Sequence, residues 1–268
     1  MNSYQQKLKL FCYIINILYI CQEFCNLELS DMKYVVLKDL KERRLSFYLA
    51  MEEYVARHLG EDDDLFFMWQ VRPTVIFGRN QSVENEVNVD YCRQHGIEMY
   101  RRKSGGGCVY ADESNVMMSF ISKEENVGLT FNRFVNMLLL VLRKMGIEAM
   151  GTSHNDVMIG DRKVSGAAFY HLPGCSIVHS TMLYDTHMEH MLNAITPSQE
   201  KLQSKGIKSV RQRITLLKDH TSLTLEEFKA LVRDTLCQGE RVLTPDDIAD
   251  IEQLEQTYLK EEFINRIQ

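Results

Sequence analysis

Three short and almost wholly apolar runs do most to limit the fold of this chain: Leu65–Gln70 (LFFMWQ), Thr74–Phe77 (TVIF) and Val116–Ser122 (VMMSFIS). Runs of this length, bounded by turn residues such as Arg72-Pro73, suit buried strands. Met99–Arg101, Val157–Ile159, Lys163–Phe169 and Ile177–Tyr184 are further strand candidates. Between them the apolar period changes. Tyr48, Met51, Val55 and Leu59 fall at helical spacing before Gly60, which predicts a helix over Leu45–Leu59. Val89–His95 reads as a short helix closed by Gly96, and Phe131, Phe134, Val135, Leu138, Leu142 and Met145 form a second stripe ended by Gly146. Thr224 with Glu227 makes a capping box for a helix through Leu236, and Thr244-Pro245-Asp246-Asp247 opens a last one with Ile248, Ile251 and Leu254 inward. The expected class is α+β: a mixed β-sheet flanked by helices, then a short helical C-terminal tail.

With 268 residues, 45% hydrophobic and 25% charged, the chain has the composition of a globular protein, and its length allows one to two domains or one large domain with a small appendage. Lys+Arg 31 against Asp+Glu 37 leaves a net charge of −6, which argues against a nucleic-acid binder, since displacing counterions from phosphates needs a basic surplus. The seven cysteines are irregularly spaced without a CxxC pair, so they read as reduced thiols of a cytoplasmic protein. Residues 1–31 differ from the rest. Their apolar run Leu10–Cys21 is shorter than the ~20 residues a membrane span needs, and Gln22–Cys25 offers no small-residue cleavage site. A start codon assigned upstream of Met32, a packed extension and an export signal are the three readings, the first preferred; none implies a membrane protein.

Two segments could carry chemistry. In Arg101-Arg102-Lys103-Ser104-Gly105-Gly106-Gly107, successive glycines let backbone N–H groups converge, and the cations upstream supply a positive field for a carboxylate or phosphate. The spacing is that of neither a Walker loop nor a dinucleotide fingerprint. In the second, Asn155-Asp156 leads through a tight Gly160-Asp161 turn to Lys163, and Ser165, Gly166, Ala167 and Ala168 leave room beside that lysine for a ligand. Lys163 could neutralise charge developing on a phosphate or carbonyl oxygen, and Asp156 could hold Mg²⁺ with a nucleotide or simply cap the turn. His179 reads as a packed strand residue and Trp69 as core or pocket rim. Cys175 has no local histidine to activate it as a nucleophile, and Cys108, directly after the glycine loop, reads as a small apolar strand residue.

Arg101–Val109 (RRKSGGGCV) resembles the RRxSGGGxV signature of the lipoate–protein ligase A family, and Asn155–Ala168 its ND…GxKxSGSA block. Val75–Gln81 is similar to the family's VxxGRxQ segment and Ser209–Ile214 to its SVRSRV segment, so four motifs recur in order. The resemblance implies a class II biotin/lipoyl synthetase fold for residues 32–220, followed by a helical segment over 221–268. It also implies a two-step reaction, in which ATP activates lipoate to lipoyl-AMP and a lysine on an acceptor lipoyl domain (of 2-oxoacid dehydrogenase subunits or the glycine cleavage H protein) then takes the acyl group. By the motif match, Arg102, Ser104 and Gly105–Gly107 line the activated acyl and phosphate, with Asn155, Asp156, Ser165 and Gly166 beside them. Lys163 reaches the mixed-anhydride oxygens, Trp69 and His179 line the acyl pocket, and Mg²⁺ accompanies ATP.

The sequence departs from that pattern at Ala111, where the family has histidine, at Ala167 and at Val178-His179-Ser180-Thr181. The stretch after Leu217 is shorter than the accessory C-terminal domain of full-length ligases. The expectation is therefore a catalytic domain that works with a separate small accessory protein, or a transferase supplied with preformed lipoyl-AMP. Octanoyl or lipoyl transfer through a cysteine thioester, biotin attachment, and a non-catalytic binder of acyl-adenylate or lipoyl domains are the competing functions.

Overall fold

A computed structural model of the chain describes residues 32–39, 41–59, 63–153, 155–196 and 213–265. The expectations for residues 1–31, Gly60 and most of Ser209–Ile214 lie outside these residues. Among the described residues eleven strands run in chain order: β1 (Lys33–Val36), β2 (Leu65–Trp69), β3 (Thr74–Phe77), β4 (Glu98–Arg101), β5 (Val109–Ala111), β6 (Val116–Ser122), β7 (Met150–Gly151), β8 (Asp156–Ile159), β9 (Arg162–Leu172), β10 (Cys175–Met182) and β11 (Glu240–Val242). Among the described residues the helices are α1 (Leu45–His58), α2 (Val83–Glu86), α3 (Val89–Gln94), α4 (Val127–Lys144), α5 (Met188–Ala194), α6 (Leu225–Leu236), α7 (Pro245–Tyr258) and α8 (Glu261–Ile264).

Eight strands form one mixed sheet in the order β11-β1-β2-β6-β10-β9-β8-β7, parallel at β11-β1-β2 and antiparallel beyond. Its apolar runs lack alternation because both faces are covered. Leu65, Phe67 and Trp69 of β2 pack with α1 and α7, whereas Phe66 of the same strand packs with α4 and α6. A second sheet, β4-β3-β5, stands apart. Ile76, Tyr100 and Ala111 face the first core, while Val75, Phe77 and Tyr110 face a third cluster with α3 and α5. Short apolar strings show that strands are buried but not how they divide between sheets, which depends on pairing distant in sequence. That division makes the site, because the long loop from β4 to β5 bridges the seam between the sheets.

The expected capping box forms at Thr224/Glu227, and the expected cap at Thr244 is completed by Asp247 into a second one. The closing stretch is more than helical: β11 pairs in register with β1, Tyr34 opposite Glu240, and α7 packs on α1. Three residues, Glu-Arg-Val, carry too little pattern to announce an edge strand.

Candidate active site

The glycine loop is built inward from Arg102. Its guanidinium, 4% exposed, donates from Nη2 to the carbonyls of Gly105 and Gly107 (both 2.7 Å), from Nη1 to Ile76 (3.2 Å) and from Nε to Gly105 (3.1 Å) and Ser104 Oγ (3.0 Å). Arg102 thus grips the main chain and also lines the cavity beside Gly106. Burial pulls its pKa down to about 10, with Cys108 and Glu52 opposing the fall. Gly106 has φ +90°, and a Cβ on Gly78 would stand 2.4 Å from the Gly106 oxygen, so the β3 end and the loop touch backbone to backbone. Arg101 holds the other side, its Nη1 donating to the carbonyls of Gly78, Arg79 and Gln81.

Ser104 is tied to the large sheet. Its Oγ lies 2.7 Å from His179 Nε2, and His179 Nδ1 lies 2.9 Å from Glu52 Oε2 on α1. A carboxylate only accepts, so Nδ1 carries a proton and the ring is fixed in orientation. The other oxygen of Glu52 accepts from Ser119 Oγ at 2.5 Å, which in turn accepts from Trp69 Nε1 at 2.8 Å. Tyr48 stacks on Trp69 with centroids 4.8 Å apart. This chain of bonds immobilises the walls of a cavity of about 500 Å³ at the seam of the sheets.

The cavity has two ends of different chemistry. Leu49, Trp69, Ile76, Val109 and Met117 make one apolar, and Asn155, Asp156, Lys163 and Arg213 make the other polar, with Gly106, Gly107, Gly166 and His179 also on the wall. Ser104, Gly105 and Ser165 are not among the wall residues. Asn155 has φ +61°, the only non-glycine in that region among the described residues, a conformation asparagine tolerates at a tight turn. Lys163 Nζ and Arg213 Nη2 each lie 2.6 Å from a different oxygen of Asp156, two cations on one carboxylate. Burial lowers the Lys163 pKa below the ordinary lysine value, Asp156 opposes that, and Arg213 adds to it. The pair leaves surplus positive charge at the polar end.

Sequence patterns announced Lys163, Asp156 and the loop but not Glu52 or Arg213. A signal for Glu52 exists: it stands four residues after Tyr48, within the buried arc of the helix, where a carboxylate needs a partner. Ala111, in place of the family's histidine, is buried in the core. Gly166 has a specific use, because a Cβ there would lie 2.2 Å from Lys163 Nζ and 2.5 Å from its Cε. Gly166→Ala should therefore keep the fold, the flexible lysine end yielding, and lower activity by about tenfold or more as the ammonium is displaced. Equal kcat/KM in the variant would mean that Lys163 acts elsewhere.

A cleft at a sheet seam brings together a glycine loop, a half-buried lysine and an apolar wall. Residues 45–237 match the lipoyl protein ligase A/B catalytic domain, and the chain belongs to that family. It is 34% identical over 230 residues to lipoate–protein ligase 1 of Staphylococcus aureus, covering 83% of this chain and 70% of that one. It is 32% identical over 202 residues to the lipoate-protein ligase LplJ of Bacillus subtilis, covering 74% and 60%. This chain spans 70% and 60% of the length of those two relatives. In fold it is similar to a chain of the bipartite lipoate protein ligase system of Thermoplasma acidophilum (TM-score 0.77, 24% identity, 89% of this chain and 98% of that one). It is also similar to a lipoate-protein ligase A bound with ATP (TM-score 0.76, 22% identity, 88% and 100%). Among the described residues no helix is long and apolar enough to cross a membrane.

Proposed function

We propose that this chain attaches lipoate to the lysine of an acceptor lipoyl domain through lipoyl-AMP. The observation that carries the reading is the two-ended cavity: an apolar arm ending at Trp69 and a cationic end at Lys163 and Arg213, joined by the glycine loop. The lipoate carboxylate attacks the α-phosphorus of ATP and pyrophosphate leaves. An acceptor amine then attacks the acyl carbon, the bond to AMP breaks, and the amine proton passes to solvent. Lys163 is the catalytic residue, its ammonium offsetting charge on the phosphoryl and acyl oxygens. The loop Arg102–Gly107 with Asn155 and Gly166 shapes the adenylate site, Ser165 supports it from behind, and Trp69 and His179 enclose the acyl chain.

The donor set does not fit a Mg²⁺ held by the protein itself. Both oxygens of Asp156 are taken by cations, and no group of three His, Cys, Asp or Glu suited to a metal occurs among the described residues. A cysteine thioester is disfavoured on similar grounds. Cys108 is on the cavity wall, but burial pushes its thiol up to about 12 despite Arg102, and Cys175 is raised by burial as well. Cys108→Ser and Cys175→Ser should each retain lipoylation within about twofold. A loss of 100-fold or more at either would restore the thioester route.

The defining assay offers an apo lipoyl domain with lipoate and ATP, and separately with lipoyl-AMP. Product in both tubes is expected of a ligase. Product only from lipoyl-AMP marks a transferase that depends on an accessory protein or another supplier for adenylation, and none in either refutes catalysis. The same assay with biotin should give no product.

A further inference from the structure

We propose that helix α7 is a positioning element for the glycine loop, acting through Tyr258, Glu53 and Lys103; this deepens the ligase reading above and rests on it for its catalytic consequence. Glu52 and Glu53 are neighbours on α1 and both are 4% exposed, yet they serve different structures. Glu52 turns to His179 and Ser119 in the cavity wall. Glu53 receives Lys103 Nζ at 2.5 Å, Tyr258 Oη at 2.9 Å and Arg57 Nη2 at 2.8 Å. Lys103 also sits 4.7 Å from the centroid of the Tyr258 ring, so the loop lysine meets α7 through its face and through a shared carboxylate.

A second contact joins the same two regions. Arg101, on the far side of Arg102, donates from Nε to the carbonyl of Ile264 in α8 at 2.9 Å. The residues flanking Arg102 are thus anchored to the segment 258–264, while Arg102 itself holds the loop's own carbonyls. A triple glycine has much backbone freedom to lose, and external anchors at its entry reduce what a ligand must order on binding. Burial alone would raise the Glu53 pKa, but bonds from Lys103, Arg57 and Tyr258 bring it below the ordinary carboxylate value. The clamp therefore stays charged at neutral pH.

A matched pair of variants tests this. Tyr258→Phe removes the bond to Glu53 and keeps the ring. Tyr54→Phe removes another bond between the same helices, from Tyr54 Oη to Asp247 at 2.7 Å, which does not involve the loop. The two should lose similar thermal stability. Amide hydrogen exchange at Ser104–Cys108 should quicken by about tenfold in Tyr258→Phe and by under about twofold in Tyr54→Phe. Lys103→Met, which cuts the clamp from the loop side, should reproduce the faster exchange. Titration of lipoate with ATP, followed by the fluorescence of Trp69, the single tryptophan, should show a roughly tenfold weaker Kd for Tyr258→Phe alone of the tyrosine pair. Equal loop exchange in the two tyrosine variants, or equal Kd values with wild-type binding intact, overturns the proposal. Exchange needs no ligand, so a wild-type chain that binds no lipoate refutes the ligase reading while the clamp is still decided by exchange.

Discussion

Lys163→Ala should lower kcat/KM for lipoyl transfer by about 10²–10³-fold, the usual cost of removing a preorganised charge from a developing oxyanion. The fold should survive, because Asp156 keeps its bond to Arg213 and the β8–β9 hairpin keeps its main-chain pairing. The pH profile gives an independent reading. Lysine assists oxygen charge only while protonated, and burial has lowered its pKa, so the basic limb should fall at a lower pH than that of a free lysine. Lys163→Arg stays charged at any accessible pH. Whatever activity it retains should show the basic limb displaced upward or absent. An alanine variant as active as the wild type would remove Lys163 from the chemistry.

Arg102→Lys should be nearly as damaging, by a different physical route. The guanidinium bridges Ile76 on β3 to Gly105 and Gly107 across the loop, which a single ammonium cannot span. Several carbonyls would lose their donors, at about 1–3 kcal/mol for each left buried, and loop relaxation should reduce the net loss in urea unfolding to about 2–4 kcal/mol. The relaxed loop should bind lipoate with ATP at least about 100-fold more weakly, since in the proposed reading the loop's backbone shapes the adenylate site. A Kd within about threefold of the wild type would show that the loop keeps its shape without the fork.

These two residues also show how far sequence patterns reach. The RRKSGGG string identifies the loop and its charge, and a cation near an anion site suggests a direct grip on the ligand. The structure gives Arg102 the task of holding carbonyls while it also lines the cavity, and places Lys163 and Arg213 at the polar end. Local spacing was sufficient for the helix stripes, the capping box at Thr224, the cap at Thr244 and the Gly160 turn, because each depends on residues within a few positions of one another. It could not reveal that Glu52 and His179, separated by 127 positions, share a proton, or that Glu53 and Tyr258, separated by 205, share another.

By itself, the sequence marked the long helices with their caps, most of the central strands, and the two segments that supply much of the cavity wall. Periodicity, glycine and charge act locally and can be read along the chain. Only the tertiary structure decided that the strands divide into two sheets, that the seam between them is the cavity, and that the closing helices hold the glycine loop. Those outcomes come from pairing and burial between distant segments, where the free energy belongs to the contact and neither partner announces the other.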